Sequence, residues 1–550
     1  MFWKVHASLR QGGVRMTKFQ NGYAGVAWIK RQWPWWTAGV LTALAEIINF
    51  LFLPLGHPKH KFIGVTSGMA RMLAGVESTL FGGSLIATKP DYQPAIQWVI
   101  IGAMIAALVL AWLEGETRAW VKYPKKILLF VALGAFLFAM GTRVAGGCTL
   151  HHLLGGFPAM NFKSWVVMLS ATIGALIGFV ILRNLNLSQY FKSQETLWFT
   201  LEAAKQGWVD GLPGSDKVKE SKAIRYALYA ILLVIMALIA YNIVAGNDYA
   251  VRVFGVPFEK TKIYGSMLSA RNLPNIIMLL IVGALLGVAV AKTGFGTECG
   301  LINPELGREA EQGEKAAALR WRIPYSLRTV FISYQPFAAL SLHIFLTGLV
   351  MFIAFAFFGV MEGHHWATEA FAAKYVGPLG TEFHRVGTSI RENTTLSMDI
   401  FGGLLLGLGT IFMIGCEFRN YGRTGLLYIT GLLIWPFFYL GYLPYTLARD
   451  FWDGLMASGH YAPTTFIPAL IAPQSPTLQV LIYALYLAFW LYMVVWAFKR
   501  GARNVGVKPG DLLKMSSEDM YLARMEKLKA EGRWDEVVEL EKELFAMAEK

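Results

Sequence analysis

The sequence predicts an all-α polytopic membrane protein: two pseudo-symmetric repeats with broken or re-entrant helices, followed by a C-terminal soluble helical hairpin. Three observations point there. Hydrophobic residues make up 55% of the 550 positions and charged residues only 16%, whereas soluble domains carry about a quarter charged residues; mean hydropathy is positive at +0.45. Some ten to twelve apolar runs approach the ~20 residues that carry a helix across ~30 Å of hydrocarbon, and a helix satisfies its own backbone there. Finally, Gly141-Thr142-Arg143-Val144-Ala145-Gly146-Gly147-Cys148 returns 268 positions later as Gly409-Thr410-Ile411-Phe412-Met413-Ile414-Gly415-Cys416, a Gly-Thr-x4-Gly-Cys frame that closes an apolar run each time.

The formal net charge of +14 does not argue for nucleic acid. Lys and Arg lie in short loops between apolar runs, where charge sets membrane orientation. The three cysteines lack Cys-x-x-Cys or Cys-x-x-Cys-His spacing, which excludes a disulfide framework, a zinc ribbon and an attached c-type haem as first readings. No Gly-x4-Gly-Lys-Ser/Thr loop offers ATP chemistry. His364, His365, Glu369, Glu382 and His384 could be mistaken for a metal site, but no His-x-x-x-His pair places two histidines on one helical face. Neither a metal nor a cofactor is expected, and the chain does not read as an enzyme.

Along the chain, residues 1–34 form a basic tail with Lys4, Arg10, Arg15, Lys18, Lys30 and Arg31 and no acid, which reads as cytoplasmic. Membrane repeat 1 spans 35–246. Its first span follows the aromatic belt Trp33, Trp35 and Trp36. Next, the stretch from Gly64 to Glu77 is apolar yet carries Arg71 and Glu77, which favours a broken helix facing a bundle interior. Spans follow near 96–113, 127–144, 166–182 and 223–244, with a polar connector at 193–222. Membrane repeat 2 spans 247–498, with apolar runs near 276–290, 329–358, 401–416, 426–442 and 478–498 and polar insertions at 303–328 and 361–397. Residues 499–550 form the cytoplasmic hairpin, with helices at 517–531 and 534–549 parted at Gly532. Both termini inside implies an even number of spans.

In each half an earlier Gly-rich, broken segment precedes the frame: Thr66-Ser67-Gly68-Met69 in the first, Thr297-Glu298-Cys299-Gly300 in the second. Matching broken segments in two halves point to a transporter with its path at their interface. Whether the repeats are parallel or inverted depends on the span count between them.

These residues resemble the YeeE/YedE membrane proteins. The likeness rests on Gly141 to Thr149, on Thr293-Gly-Phe-Gly-Thr-Glu-Cys299, and on Gly409 to Cys416. It covers roughly 35–498 and omits the long loops and the tail. It implies membrane transport of thiosulfate or a related sulfur-containing anion along a cysteine-lined path, with Cys148, Cys299 and Cys416 as its thiols. His151 and His152 depart from the small polar residues expected after the first frame, which leaves the sulfur species open.

The physical case for the same role is separate. Thiosulfate has one soft sulfur and three hard oxygens. A thiol suits the first, and backbone N–H groups at helix starts suit the second. Gly147 and Gly415 allow close backbone approach, Thr149 adds a hydroxyl, and Arg143, Lys292, Arg419 and His151 could attract the anion. Weak sites in series conduct better than one tight site. Glu298 and Glu417 would repel a dianion, and are expected to be paired with a base or turned away.

Two alternatives stay open. One is a sulfane-sulfur or selenium relay to a cytoplasmic carrier; the other is a membrane anchor of an electron-transfer complex, with His343 as its best haem ligand. Besides membrane lipids, partners on this reading include a cytoplasmic sulfurtransferase docking on the tail; a homodimer is compatible with the sequence, although no residue argues for one. The expected location is a bacterial inner membrane, with both termini cytoplasmic.

Overall fold

In the computed structural model, residues 33–52, 62–81, 96–114, 125–185, 273–293, 335–358, 374–376, 382–384, 395–425, 429–457, 465–515 and 526–534, with a few single positions, are described. The expected span at 223–244, nearly all of the 303–328 and 361–397 insertions, Cys299 and most of the second tail helix lie outside them.

The elements are helices α1 (Trp35–Phe52), α2 (Thr66–Phe81), α3 (Trp98–Glu114), α4 (Lys125–Val144), a π-helical turn (His151–Gly156), α5 (Phe162–Asn184), α6 (Leu273–Thr293) and α7 (Gln335–Phe358). A short antiparallel pair, β1 (Lys374–Val376) and β2 (Glu382–His384), follows. Then come α8 (Leu396–Phe412), α9 (Glu417–Gly425), α10 (Ile429–Leu447), α11 (Arg449–Ala457), α12 (Ile467–Ile471), α13 (Pro476–Val505) and α14 (Pro509–Leu512). This is a polytopic helical membrane protein. Among the described residues, six stretches are long and apolar enough to cross a bilayer, with shorter apolar helices at Trp35–Leu51 and Trp98–Leu110. One of the six, Leu396–Gly425, is broken at Cys416 into α8 and α9.

Small residues set the helix pairings, because without a Cβ two backbones can approach closely in the absence of a hydrophobic drive between helices. A Cβ on Gly409 of α8 would come within 2.6 Å of the Phe138 nitrogen and 2.7 Å of the Gly134 oxygen in α4; one on Gly141 of α4 would come within 2.9 Å of the Gly402 oxygen in α8. Gly134 therefore faces Gly409 while Gly141 faces Gly402, so α4 and α8 cross antiparallel. By sequence these two helices are counterparts, each leading into a Gly-Thr-x4-Gly-Cys frame.

The same exchange recurs elsewhere. Helix α8 packs on α5 with Gly407 against Ala171 and Ala175, and α10 packs on α4 with Gly441 against Phe136 and Ala139. Gly39 of α1 meets Ala339 of α7, and Gly102 of α3 meets Leu280 of α6. At the α1–α6 pairing, the Trp33 N–H donates to the Lys292 carbonyl at 2.8 Å, which places the start of one helix beside the end of the other.

Helix α2 is buried as its charges require: Arg71 and Glu77 are 2% and 5% exposed. At the other end of the chain, α13 stops at Gly506 in left-handed conformation (φ 89°). The tail segment beyond it returns so that the Lys527 ammonium donates to the Arg503 carbonyl at 3.0 Å, and the Trp36 indole N–H reaches the Leu513 carbonyl at 2.7 Å. The tail helix ends at Gly532 (φ 70°), as its position after residue 531 suggests.

Candidate functional site

The two frames fold alike. In residues 141–150 and 409–418 the first four positions finish a helix, two form a turn, the glycine bends, and a new helix starts just after the cysteine. The sixth position takes left-handed backbone in both, Gly146 at φ 74° and Ile414 at φ 61°. For a β-branched residue that conformation costs on the order of 1–3 kcal/mol and persists only where the surroundings impose it. Here Ile414 is fully buried, and the Gly415 N–H closes the turn onto the Thr410 carbonyl at 2.8 Å. Asn420 Nδ2 lies 3.3, 3.1 and 3.1 Å from the carbonyl oxygens of Met413, Gly415 and Cys416, and Arg423 Nη1 donates to Asn420 Oδ1 at 3.2 Å.

His152 is the counterpart of Asn420 in the first frame. Its Nδ1 lies 3.0 Å from Ser164 Oγ, while its Nε2 is buried, has no hydrogen-bond partner among the described residues, and points at Gly147, where a Cβ would sit 2.7 Å away. His151 covers the other side of Gly147 and packs on Phe62, ring centroids 5.7 Å apart. Arg419 likewise folds over Gly415, whose φ is 129°.

Cys148 and Cys416 are both buried, and neither is in a disulfide. Cys148 sits where three helices begin: α2 at Thr66, the helical run after Cys148 itself at Thr149, and α9 at Glu417. Thr66 Oγ1 donates to the Glu417 carboxylate, 3.1 Å from Oε1 and 3.2 Å from Oε2. The Tyr421 hydroxyl donates to Glu417 Oε2 at 3.5 Å. The Cys148 thiol is within hydrogen-bonding reach of both Glu417 and Thr66. Around this group, the Tyr442 hydroxyl donates to the Thr66 carbonyl at 3.4 Å. The Arg143 guanidinium lies 5.1 Å over the Tyr442 ring and donates to Ser67 Oγ at 3.3 and 3.4 Å. Partial positive charge from converging helix starts, a guanidinium, hydroxyls and a soft thiol together suit an anion with one sulfur end.

The structure brings Cys148, Gly147, Thr149, Arg143 and His151 into one neighbourhood, with Gly415, Cys416 and Arg419 on the adjoining second turn. Lys292 lies instead at the α1–α6 pairing, 5.6 Å over the Trp33 ring. Glu417 is not turned away: its carboxylate faces Cys148, with the Thr66 and Tyr421 hydroxyls among its partners. Thr66 and Ser67 carried a faint signal, the alignment of their segment with that of Cys299; Tyr421 and Tyr442 carried none. His343 has both ring nitrogens engaged, Nδ1 with Thr42 Oγ1 at 3.0 Å and Nε2 with the Leu154 carbonyl at 2.9 Å, which leaves neither for a haem iron.

The two Gly-Thr-x4-Gly-Cys turns of this helical membrane protein adjoin one another in its buried interior, and comparison with known proteins shows what part of the chain is similar to. Residues 2–177 match the family described as "Sulphur transport", which bears out the YeeE/YedE resemblance drawn from the motifs. Among curated proteins, the thiosulfate transporter TsuA of Spirochaeta thermophila is 29% identical over 143 residues, 26% of this chain and 39% of the relative. The chain thus spans about two-fifths of the length of the relative it matches.

Proposed function

We propose that this protein carries thiosulfate or a related sulfur-containing anion across the membrane as a permease, through a path lined by Cys148 and Cys416, with Cys299 as a third thiol. The observation that carries the reading is the position of Cys148, a buried thiol where three helices begin, within reach of Thr66, whose neighbour Ser67 is held by the Arg143 guanidinium. The soft sulfur of the anion meets the thiol, and its oxygens meet N–H groups and hydroxyls. The sulphur-transport match and the thiosulfate-transporting relative support the substrate class.

The antiparallel crossing of α4 and α8 supports two inverted repeats, with the path at their interface. The Trp36–Leu513 bond links the start of α1 to the residue after α14 and supports both ends of the membrane region lying on one face; the basic residues Arg500 and Arg503 at the end of α13, with Lys30 and Arg31 preceding α1 in the sequence, favour the cytoplasm as that face.

Labelled thiosulfate uptake by bacteria lacking their own transporters tests the reading. Cells producing the protein should accumulate label above empty-vector cells; equal accumulation at confirmed membrane expression overturns it.

A further inference from the structure

The acid at the thiol breaks the likeness of the two frames. Thr149 follows Cys148, whereas Glu417 follows Cys416 at the corresponding position, and Glu417 is fully buried. Its carboxylate lies beside Cys148, near the starts of α2 and α9, and is held there by Thr66 and Tyr421. A carboxylate and a dianion cannot share one buried site without strong repulsion, since like charges in a low-dielectric interior disfavour one another's charged forms.

We propose that Glu417 is the coupling residue of this transporter: it takes up a proton from the side the anion enters, admits the anion to Cys148 in its neutral form, and gives the proton up to the other side as the anion leaves. This rests on the transport reading above. The step needs only a proton from bulk water. One proton is bound and one released in each passage, and no bond to sulfur forms. The titratable or charged groups around Glu417 include Cys148 from the turn after α4 and Tyr421 from α9 itself, then Tyr442 from α10 through the Thr66 carbonyl and Arg143 from α4 through Ser67 and Tyr442; Arg71 of α2 and Arg419 and Arg423 of α9 are buried in the same region. Neutral glutamic acid keeps its hydrogen bonds by donating its own proton to one of these oxygen or sulfur atoms, so Thr66 and Tyr421 can hold it in either state.

The test uses the purified full-length protein in proteoliposomes with the membrane potential clamped at zero and labelled thiosulfate outside. With one proton per passage, an inward gradient of one pH unit near neutrality drives up to about tenfold accumulation, because each factor of ten in proton activity is matched by one in the anion. Wild-type vesicles should show that accumulation and lose it with a protonophore. Glu417→Gln should show a ratio near one with and without the gradient, whatever its absolute rate. Should Glu417→Gln be inert, Tyr421→Phe and Thr66→Val decide: each loosens one hold on the carboxylate and should shift the pH at which uptake is half-maximal. Wild-type uptake indifferent to the gradient, a Glu417→Gln protein that still concentrates thiosulfate, or an unmoved pH profile in both hydroxyl variants overturns the inference. Absence of any wild-type uptake would instead overturn the transport reading itself.

Discussion

Gly409→Ala tests the crossing on which the architecture stands. A methyl group there would lie 2.6 Å from the Phe138 nitrogen and 2.7 Å from the Gly134 oxygen, both backbone atoms in α4, against 3.4 Å for ordinary contact. Neither neighbour is a side chain that can swing aside, so α4 and α8 must part by about 0.8 Å along that line, which loosens the Gly141–Gly402 approach at the other end of the same crossing. Overpacking of this kind costs about 1–3 kcal/mol. In detergent, thermal unfolding followed by tryptophan fluorescence should shift down by about 1–4 °C, because the ~2–4 °C per kcal/mol of 150–250-residue domains shrinks roughly twofold or more in a chain this long. Gly141→Ala, with its nearest atom at 2.9 Å, should shift less, and Gly454→Ala, with nothing within 4 Å of the added carbon, should not shift. A Gly409→Ala protein as stable as the Gly454→Ala control would refute the antiparallel crossing, and with it the support for inverted repeats.

Three further outcomes follow from named contacts. The Lys163 ammonium and Asp399 Oδ1 are 2.7 Å apart and fully buried, so Asp399→Asn should lower stability by about 3–5 kcal/mol, while Lys163→Met combined with Asp399→Leu should recover most of it in the same melting assay. His343→Phe removes the partner of the Leu154 carbonyl, costing about 1–3 kcal/mol, and the purified wild type should bind no added haem by its absorption spectrum. Intact-mass measurement after incubation with thiosulfate should show no added sulfur on any cysteine; a persistent gain of one sulfur would favour a persulfide relay over a permease.

Much of the site was legible because glycine and cysteine carry strong local constraints. A Gly-Thr-x4-Gly-Cys frame repeated in a chain with three cysteines points directly at the two turns, and the charges Arg71 and Glu77 within an apolar stretch mark α2 as an interior helix from the sequence alone. The rest depends on distance in sequence. Nothing local indicates that Thr66 meets Glu417 across 351 positions, or that Gly134 pairs with Gly409. Tyr421 and Tyr442 read as ordinary aromatic residues of apolar helices, since their hydroxyls acquire meaning only from their tertiary partners. The placement of Glu417 is likewise not local: a carboxylate beside an anion path looks purely repulsive in the sequence, and its hydroxyl partners come from α2 and α9 only in the folded chain. Lys292 precedes Cys299 closely in the sequence, but that its ammonium lies over the Trp33 ring is set by the pairing of α1 with α6 and is not legible locally.

The most direct measurement is thiosulfate uptake by transporter-deficient cells producing the wild type, Cys148→Ser or Cys416→Ser at matched membrane levels. Serine keeps a hydroxyl of similar size and removes only the soft sulfur. A cysteine-lined path predicts that the wild type accumulates label and that Cys148→Ser falls to a small fraction of that rate, with Cys416→Ser also impaired. Full uptake by both serine variants would contradict the path and leave the thiols as packing residues.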